Sequence, residues 1–239
     1  AKAAEAAKAP GASEESKKQA EILGKLLADL EKQQQGAGFT AAGQLLAAGK
    51  NAEAAAAFEK FAAGHPDHPD APNALHNAAV AWERSKEPKK AQADRTALLE
   101  RYPDSKIAPE ETLAQAGALA RQGDQAGAQK RYLAYLEKWG QGPRRCLALY
   151  NLAVAQESLG HKLEAAKGYQ AFGREESCLK EDPNNAAKAV YRGGVLFTES
   201  KKKGDAQEMF RIVAGIQGVT ETVAKSQVED AKERVKKGK

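Results

Sequence analysis

Residues 57–109 read AFEKFAAGHPDHPDAPNALHNAAVAWERSKEPKKAQADRTALLERYPDSKIAP. Small and apolar residues recur here at helical spacing. Two kinds of break interrupt them: a tight polar turn at Lys86-Glu87-Pro88, and proline-bearing linkers around Pro66 and Pro103. Proline cannot continue a helix, so each linker closes one element and opens the next. The two linker prolines stand 37 residues apart, which fits two short helices and their connections. This stretch therefore reads as a helix, a turn and a second helix, repeated.

The same alternation extends in both directions. Turns fall at Gly49-Lys50-Asn51, Lys86-Glu87-Pro88, Gly123-Asp124, Gly160-His161 and Lys203-Gly204-Asp205, with breaks between pairs at Pro66, Pro103, Gly140 to Pro143 and Pro183. Hairpins repeated at this period are the mark of an α-solenoid. Ala42, Ala79, Ala116, Ala153 and Gly194 define one small-residue position. Twelve residues later stand Ala54, Ala91, Ala128, Ala165 and Ala206. Four further on come Phe58, Arg95, Tyr132, Tyr169 and Phe210, and three beyond those Phe61, Leu98, Tyr135, Phe172 and Val213. Where two helices cross closely only a small side chain fits, and large neighbours one and two turns on fill the space beside it. The reading is all-α, with about five hairpins near 36–66, 72–103, 109–140, 146–183 and 187–217, the fourth extending its second helix to about Lys180.

Ahead of the hairpins, Ile22, Leu23, Leu26, Leu27 and Leu30 follow helical spacing until Gly36 and Gly38, which predicts a separate amphipathic helix in need of a partner. Residues 1–14, within AKAAEAAKAPGASEES, have little to bury and read as a flexible tether. The chain begins at Ala1 and has one methionine, which suggests a piece of a longer precursor. Residues 219–239 read as a final capping helix with a thin stripe of Val219, Val223, Val228 and Val235, since an open solenoid end needs a polar lid.

Composition narrows the function. Of 239 residues only 6% are aromatic, which disfavours a sandwich or barrel. No apolar run approaches the roughly 20 residues of a membrane span. The net charge of +5 comes from mixed, scattered groups. Phosphate binding needs clustered cations, so nucleic acid is not expected as a partner.

The small residues with their following aromatics and prolines resemble the tetratricopeptide repeat, over roughly residues 36–217. That resemblance implies a right-handed solenoid whose groove is lined by the first helix of each pair. The linkers YPDSKIAP and HPDHPDAPNAL, with their 37-residue step, are similar to those of bacterial envelope repeat proteins of the CpoB (YbgF) and BamD kind. The repeats also resemble those of myxobacterial gliding-motility lipoproteins. These resemblances imply a scaffold in the periplasm or on the periplasmic face of the outer membrane. Membrane contact would then come only through a lipid anchor on a lost N-terminal segment. A monomer is expected.

Cys146 opens the first helix of the fourth hairpin and Cys178 lies near the end of its second. The start of one antiparallel helix lies beside the end of the other, so the sulfurs could meet in a disulfide, which would indicate an oxidising compartment. Two buried free thiols are the alternative. Neither cysteine has a neighbouring ligand at metal-binding spacing.

No nucleophile elbow, phosphate loop, H-E-x-x-H or Cys-x-x-Cys is present, and neither an enzyme nor a cofactor is expected. His65 and His68 lie in an inter-unit turn rather than a metal site. The carboxylate pair Glu110-Glu111 is adjacent in sequence, hence not on one helix face, and reads as solvated. Mapping the groove-facing positions of the tetratricopeptide repeat selects Asn73, His76, Asn77 and Arg84, then Arg121, then Tyr150 and Asn151 with Leu147 and Val154, then Lys188, Tyr191 and Arg192. Amides can satisfy a peptide backbone, aromatics give contact area and cations catch carboxylates. Asn151, Lys188 and Arg192 match three groups of the carboxylate clamp of chaperone-binding repeats, but Leu113 and Gly117 stand where its other two groups belong. The expected partners are proteins or extended peptides. A cytoplasmic co-chaperone and an accessory domain of an envelope enzyme are the rival readings.

Overall fold

The computed structural model describes residues 13–237, so most of the predicted 1–14 tether lies outside the described residues. Twelve helices and no strands occur among them. They are α1 Glu14–Ala47, α2 Asn51–Gly64, α3 Ala71–Arg84, α4 Pro88–Arg101, α5 Ala108–Arg121, α6 Gln125–Trp139, α7 Arg145–Ser158, α8 Lys162–Gly173, α9 Glu176–Glu181, α10 Pro183–Glu199, α11 Lys203–Gly215 and α12 Thr222–Lys237. Two compact units divide between Ile107 and Ala108, the first holding α1 to α4 and the second α5 to α12. Among the described residues no helix is long and apolar enough to cross a membrane.

One turn is used five times. Gly49, Lys86, Gly123, Gly160 and Lys201 all have positive φ, between 56° and 87°. In every case the next residue's N–H donates to the carbonyl five residues back, from Lys50 to Leu45, Glu87 to Trp82, Asp124 to Leu119, His161 to Gln156 and Lys202 to Phe197. This left-handed C-terminal cap satisfies carbonyls that the helix end would otherwise leave open. The fifth turn lies two residues before the expected Lys203-Gly204-Asp205, and Lys203 and Gly204 begin α11 instead.

The crossing positions are filled as the spacing predicts. Ala42, Ala54, Ala79, Ala91, Ala116, Ala128, Ala153 and Ala165 are fully buried and Ala206 nearly so. The large residues beside them, from Phe58 and Phe61 to Phe210 and Val213, are buried in all five hairpins. Arg95 takes the place of an aromatic ring, and its Nη1 donates to Glu83 at 3.1 Å. In the fourth hairpin Tyr169 occupies that same place and donates to Glu157 at 3.1 Å, so a carboxylate twelve residues earlier serves both.

Four expectations need correction. The N-terminal helix is not separate: α1 runs through Gly36 and Gly38 into the first hairpin, where Phe39 packs on Phe58 and Phe61 with centroids at 5.3 and 5.5 Å. A helical glycine costs only about 1 kcal/mol relative to alanine, less than this packing returns. The fourth hairpin's second helix stops at Gly173; Glu175 is extended and α9 restarts at Glu176, while α10 begins at Pro183 rather than 187. The terminal helix buries Ala224, Val228 and Ala231, leaving Val223 61% exposed. Glu111 is buried, not solvated.

The hairpin period explains the break after Gly173. Small-residue positions repeat at 37 residues from Ala42 through Ala79 and Ala116 to Ala153, but Gly194 follows Ala153 by 41. The four extra residues fall between Gly173 and Pro183, and α9 absorbs them.

Candidate functional site

α7 carries an outward stripe of Leu147, Tyr150, Asn151 and Val154, one helical face at steps of three and four. Leu147 is 46% exposed and Val154 36%. Large apolar side chains in the open on a helix whose other face is fully packed mark a surface available for contact. Tyr150 is held from behind by Tyr169 and Phe172, with centroids at 6.3 and 6.1 Å.

Beside this stripe lies a cavity of about 260 Å3. Cys146, Leu147, Tyr150 and Asn151 form one wall and Phe172 of α8 the floor; Cys178 and Glu181 of α9, with Asp182 and Asn185 at the start of α10, close the far side. The stretch between Gly173 and Pro183 thus supplies three of the nine lining residues, Cys178, Glu181 and Asp182. Cys146 and Cys178 are joined across it, with an S–S distance of 2.06 Å and Cα atoms 5.3 Å apart. Cys178 is buried and Cys146 half-buried. No residue among the described ones is a free cysteine.

The rim is acidic. Glu181 and Asp182 are exposed, and no lysine or arginine lines the cavity. Asp182 also caps α10, its Oδ1 accepting the Asn185 N–H at 3.1 Å and its Oδ2 accepting from the Asn185 side chain at 2.6 Å. Nearby Arg144 feels the charge of Glu181 but hydrogen-bonds Glu110 at 3.1 Å, the main reason its pKa rises.

The other predicted residues are distributed as follows. In the first unit Asn73 donates to Asp70 at 3.2 Å, His76 and Asn77 are half-buried, and Arg84 is exposed. His68 is not a surface ligand: its Nδ1 accepts the Asp70 N–H at 3.1 Å and its ring meets Phe61 edge-on at 5.1 Å. In the second unit Arg121 is exposed, and its charge opposes the rise that burial imposes on the pKa of Tyr132 in α6.

Lys188, Tyr191 and Arg192 tie the fifth hairpin to its neighbours. Lys188 pairs with Glu221, and Tyr191 donates to Asp230 of α12 at 2.6 Å while its ring meets Phe210 edge-on at 5.6 Å. Arg192 grips Glu157 through Nε at 2.7 Å and Nη2 at 2.6 Å, tying α10 to α7. Burial, and then Glu157, push the Tyr169 hydroxyl well above the usual phenol range. Both cations that match the carboxylate clamp are thus paired with carboxylates of this chain.

Sequence reasoning selected Tyr150, Asn151, Leu147 and Val154 but not Phe172, Glu181, Asp182 or Asn185. The signal was the departure from 37 to 41 residues, which places an insertion beside α7.

No family model matches this chain, and no curated protein matches it in sequence. Its fold does match solved structures. YrrB, described as a TPR protein with an unusual peptide-binding site, is 17% identical over 82% of this chain and 90% of its own, with a TM-score of 0.53. MamA of AMB-1 is 15% identical over 82% of this chain and 97% of its own, TM-score 0.53. BtubC of P. vanneervenii is 16% identical over 76% and 80%, TM-score 0.52. At such identities the likeness concerns the fold alone, an all-α solenoid of helical hairpins similar to that of the TPR protein YrrB.

Proposed function

We propose that this chain is a non-enzymatic scaffold of the bacterial cell envelope that holds partner proteins or extended peptides on its first-helix faces. The observation that carries the reading is the α7 stripe, where exposed Leu147 and Val154 flank Tyr150 and Asn151 beside a cavity. Hairpin solenoids present such surfaces without needing a catalytic constellation. YrrB, with its described peptide-binding site, offers a parallel on the same architecture. The envelope assignment is supported by the juxtaposed cysteines, since disulfides persist in oxidising compartments, and by the YPDS-type linkers.

A photo-crosslinking residue at Val154 in the source cell tests the reading, with exposed Leu133 of α6 as the control position. Discrete protein adducts from position 154 and none from 133 are expected, together with oxidised Cys146 and Cys178 in thiol trapping of unreduced cells. Adducts from position 133 alone would refute the surface assignment, and free thiols would refute the compartment.

A further inference from the structure

Resting on that interaction reading, we propose that the cavity at the fourth hairpin seats one large apolar side chain of an extended basic segment of a partner protein, whose neighbouring lysine or arginine meets Glu181 and Asp182.

Size limits the occupant first. About 260 Å3 lies below the roughly 300 to 1,000 Å3 of sites that enclose small molecules, and it suits a single leucine-sized or aromatic side chain. The lining chooses its character. Tyr150, Phe172, Leu147 and the Cys146–Cys178 sulfurs offer apolar contact, and Asn151 supplies an amide able both to donate to and to accept from a peptide backbone. Charge then selects the flanks. In a chain of net charge +5, the lining bears two carboxylates and no cation, and nearby Arg144 hydrogen-bonds Glu110, so a basic segment is favoured over an acidic one. The two cations best placed to welcome a carboxylate, Lys188 and Arg192, are paired with Glu221 and Glu157.

The disulfide belongs to the site as well as to the fold. The six-residue α9 is too short to persist as a helix by itself. Its link to Cys146 keeps Glu181 at the rim and Cys178 in the wall.

Three end-blocked, fluorescein-labelled peptides test the proposal on the whole oxidised chain by anisotropy: Ac-GSKFKSG-NH2, Ac-GSEFESG-NH2 and Ac-GSKAKSG-NH2. The first is expected to bind more tightly than either other by about tenfold or more, and added salt weakens it. Glu181→Lys, an exposed position, should weaken it about tenfold, and the uncharged Leu147→Ser several-fold. Arg211→Glu, exposed on α11 and away from the cavity, should leave it unchanged. The Cys146→Ser/Cys178→Ala double variant should bind several-fold more weakly while circular dichroism shows helicity retained. Equal binding of the acidic probe, indifference to Glu181→Lys, or binding of none of the three overturns the proposal. The interaction reading is judged separately by adducts at position 154, so its failure and this one are distinguishable.

Discussion

Lys86 and Lys201 stand where Gly49, Gly123 and Gly160 stand in the other hairpins, with φ of 61° and 56°. A side chain with a Cβ pays about 1 kcal/mol or more in that left-handed region, while glycine's added freedom in the unfolded chain gives back only part of the gain. Lys86→Gly and Lys201→Gly should therefore each stabilise by about 0.5 kcal/mol, raising Tm by about 1 °C in thermal circular dichroism. Gly123→Ala should lower stability by about 1 kcal/mol. Gly194 inverts this logic. Alanine occupies the equivalent position in the other four hairpins, and a helical Gly→Ala change alone would gain about 1 kcal/mol. Here an added Cβ would lie 2.8 to 3.1 Å from three atoms of the Phe210 ring. Overpacking of that kind costs about 1 to 3 kcal/mol, so Gly194→Ala should destabilise on balance, and a raised midpoint in urea unfolding would show that the ring yields.

At the scale of elements, α1 divides into two parts. Its C-terminal part carries Phe39 and Ala42 into the core, whereas Ile22, Leu23, Leu26 and Leu27 are between 43% and 58% exposed. Deleting the chain up to Leu27 should remove helicity yet leave Tm within about 2 °C, because the side chains of Ile22, Leu23, Leu26 and Leu27 bury little area. A larger drop would mean the stripe is covered in solution. The disulfide behaves oppositely. It spans 32 residues, and in the chain-entropy model its removal costs about 3 to 4 kcal/mol. Reduction should first speed amide exchange in residues 174–182, since α9 has few other anchors, and uniform protection there would argue against that tether. These elements also show what the amino-acid order could reveal. Close helix crossings demand small residues, so the hairpins were visible as a register of alanines. The fate of Lys188 and Tyr191 was not, because it depends on where α12 lies, and no repeat specifies the partner of a terminal hairpin. Cys178 could be placed near Cys146 from hairpin geometry, but the kink at Glu175 follows from four surplus residues that register only as a changed period.

For the molecule as a whole, carboxylates link successive elements of the second unit, and this sets its response to acid. Glu208 is held below the usual carboxylate range by its hydrogen bonds to Arg174, and Asp230 by those from Tyr191 and Arg234. A depressed carboxyl binds its proton less readily in the folded than in the unfolded chain, so its contribution is present above about pH 4.5 and is lost as pH falls through the lower folded value. Both groups are more than a third exposed, so solvent and salt limit each to about 0.2 to 1 kcal/mol. Protonating the 32 acidic side chains also drives the net charge up from +5, adding self-repulsion of the same sign. Stability should thus be level from about pH 5 to 8 and fall below about pH 4, with moderate salt lessening the repulsion. The Glu208→Gln/Asp230→Asn variant removes the two linked titrations and should start less stable at neutral pH while losing less on acidification. Equal losses in variant and parent, followed by urea midpoints across pH 3 to 7, would assign the acid response to general charge rather than to these two contacts.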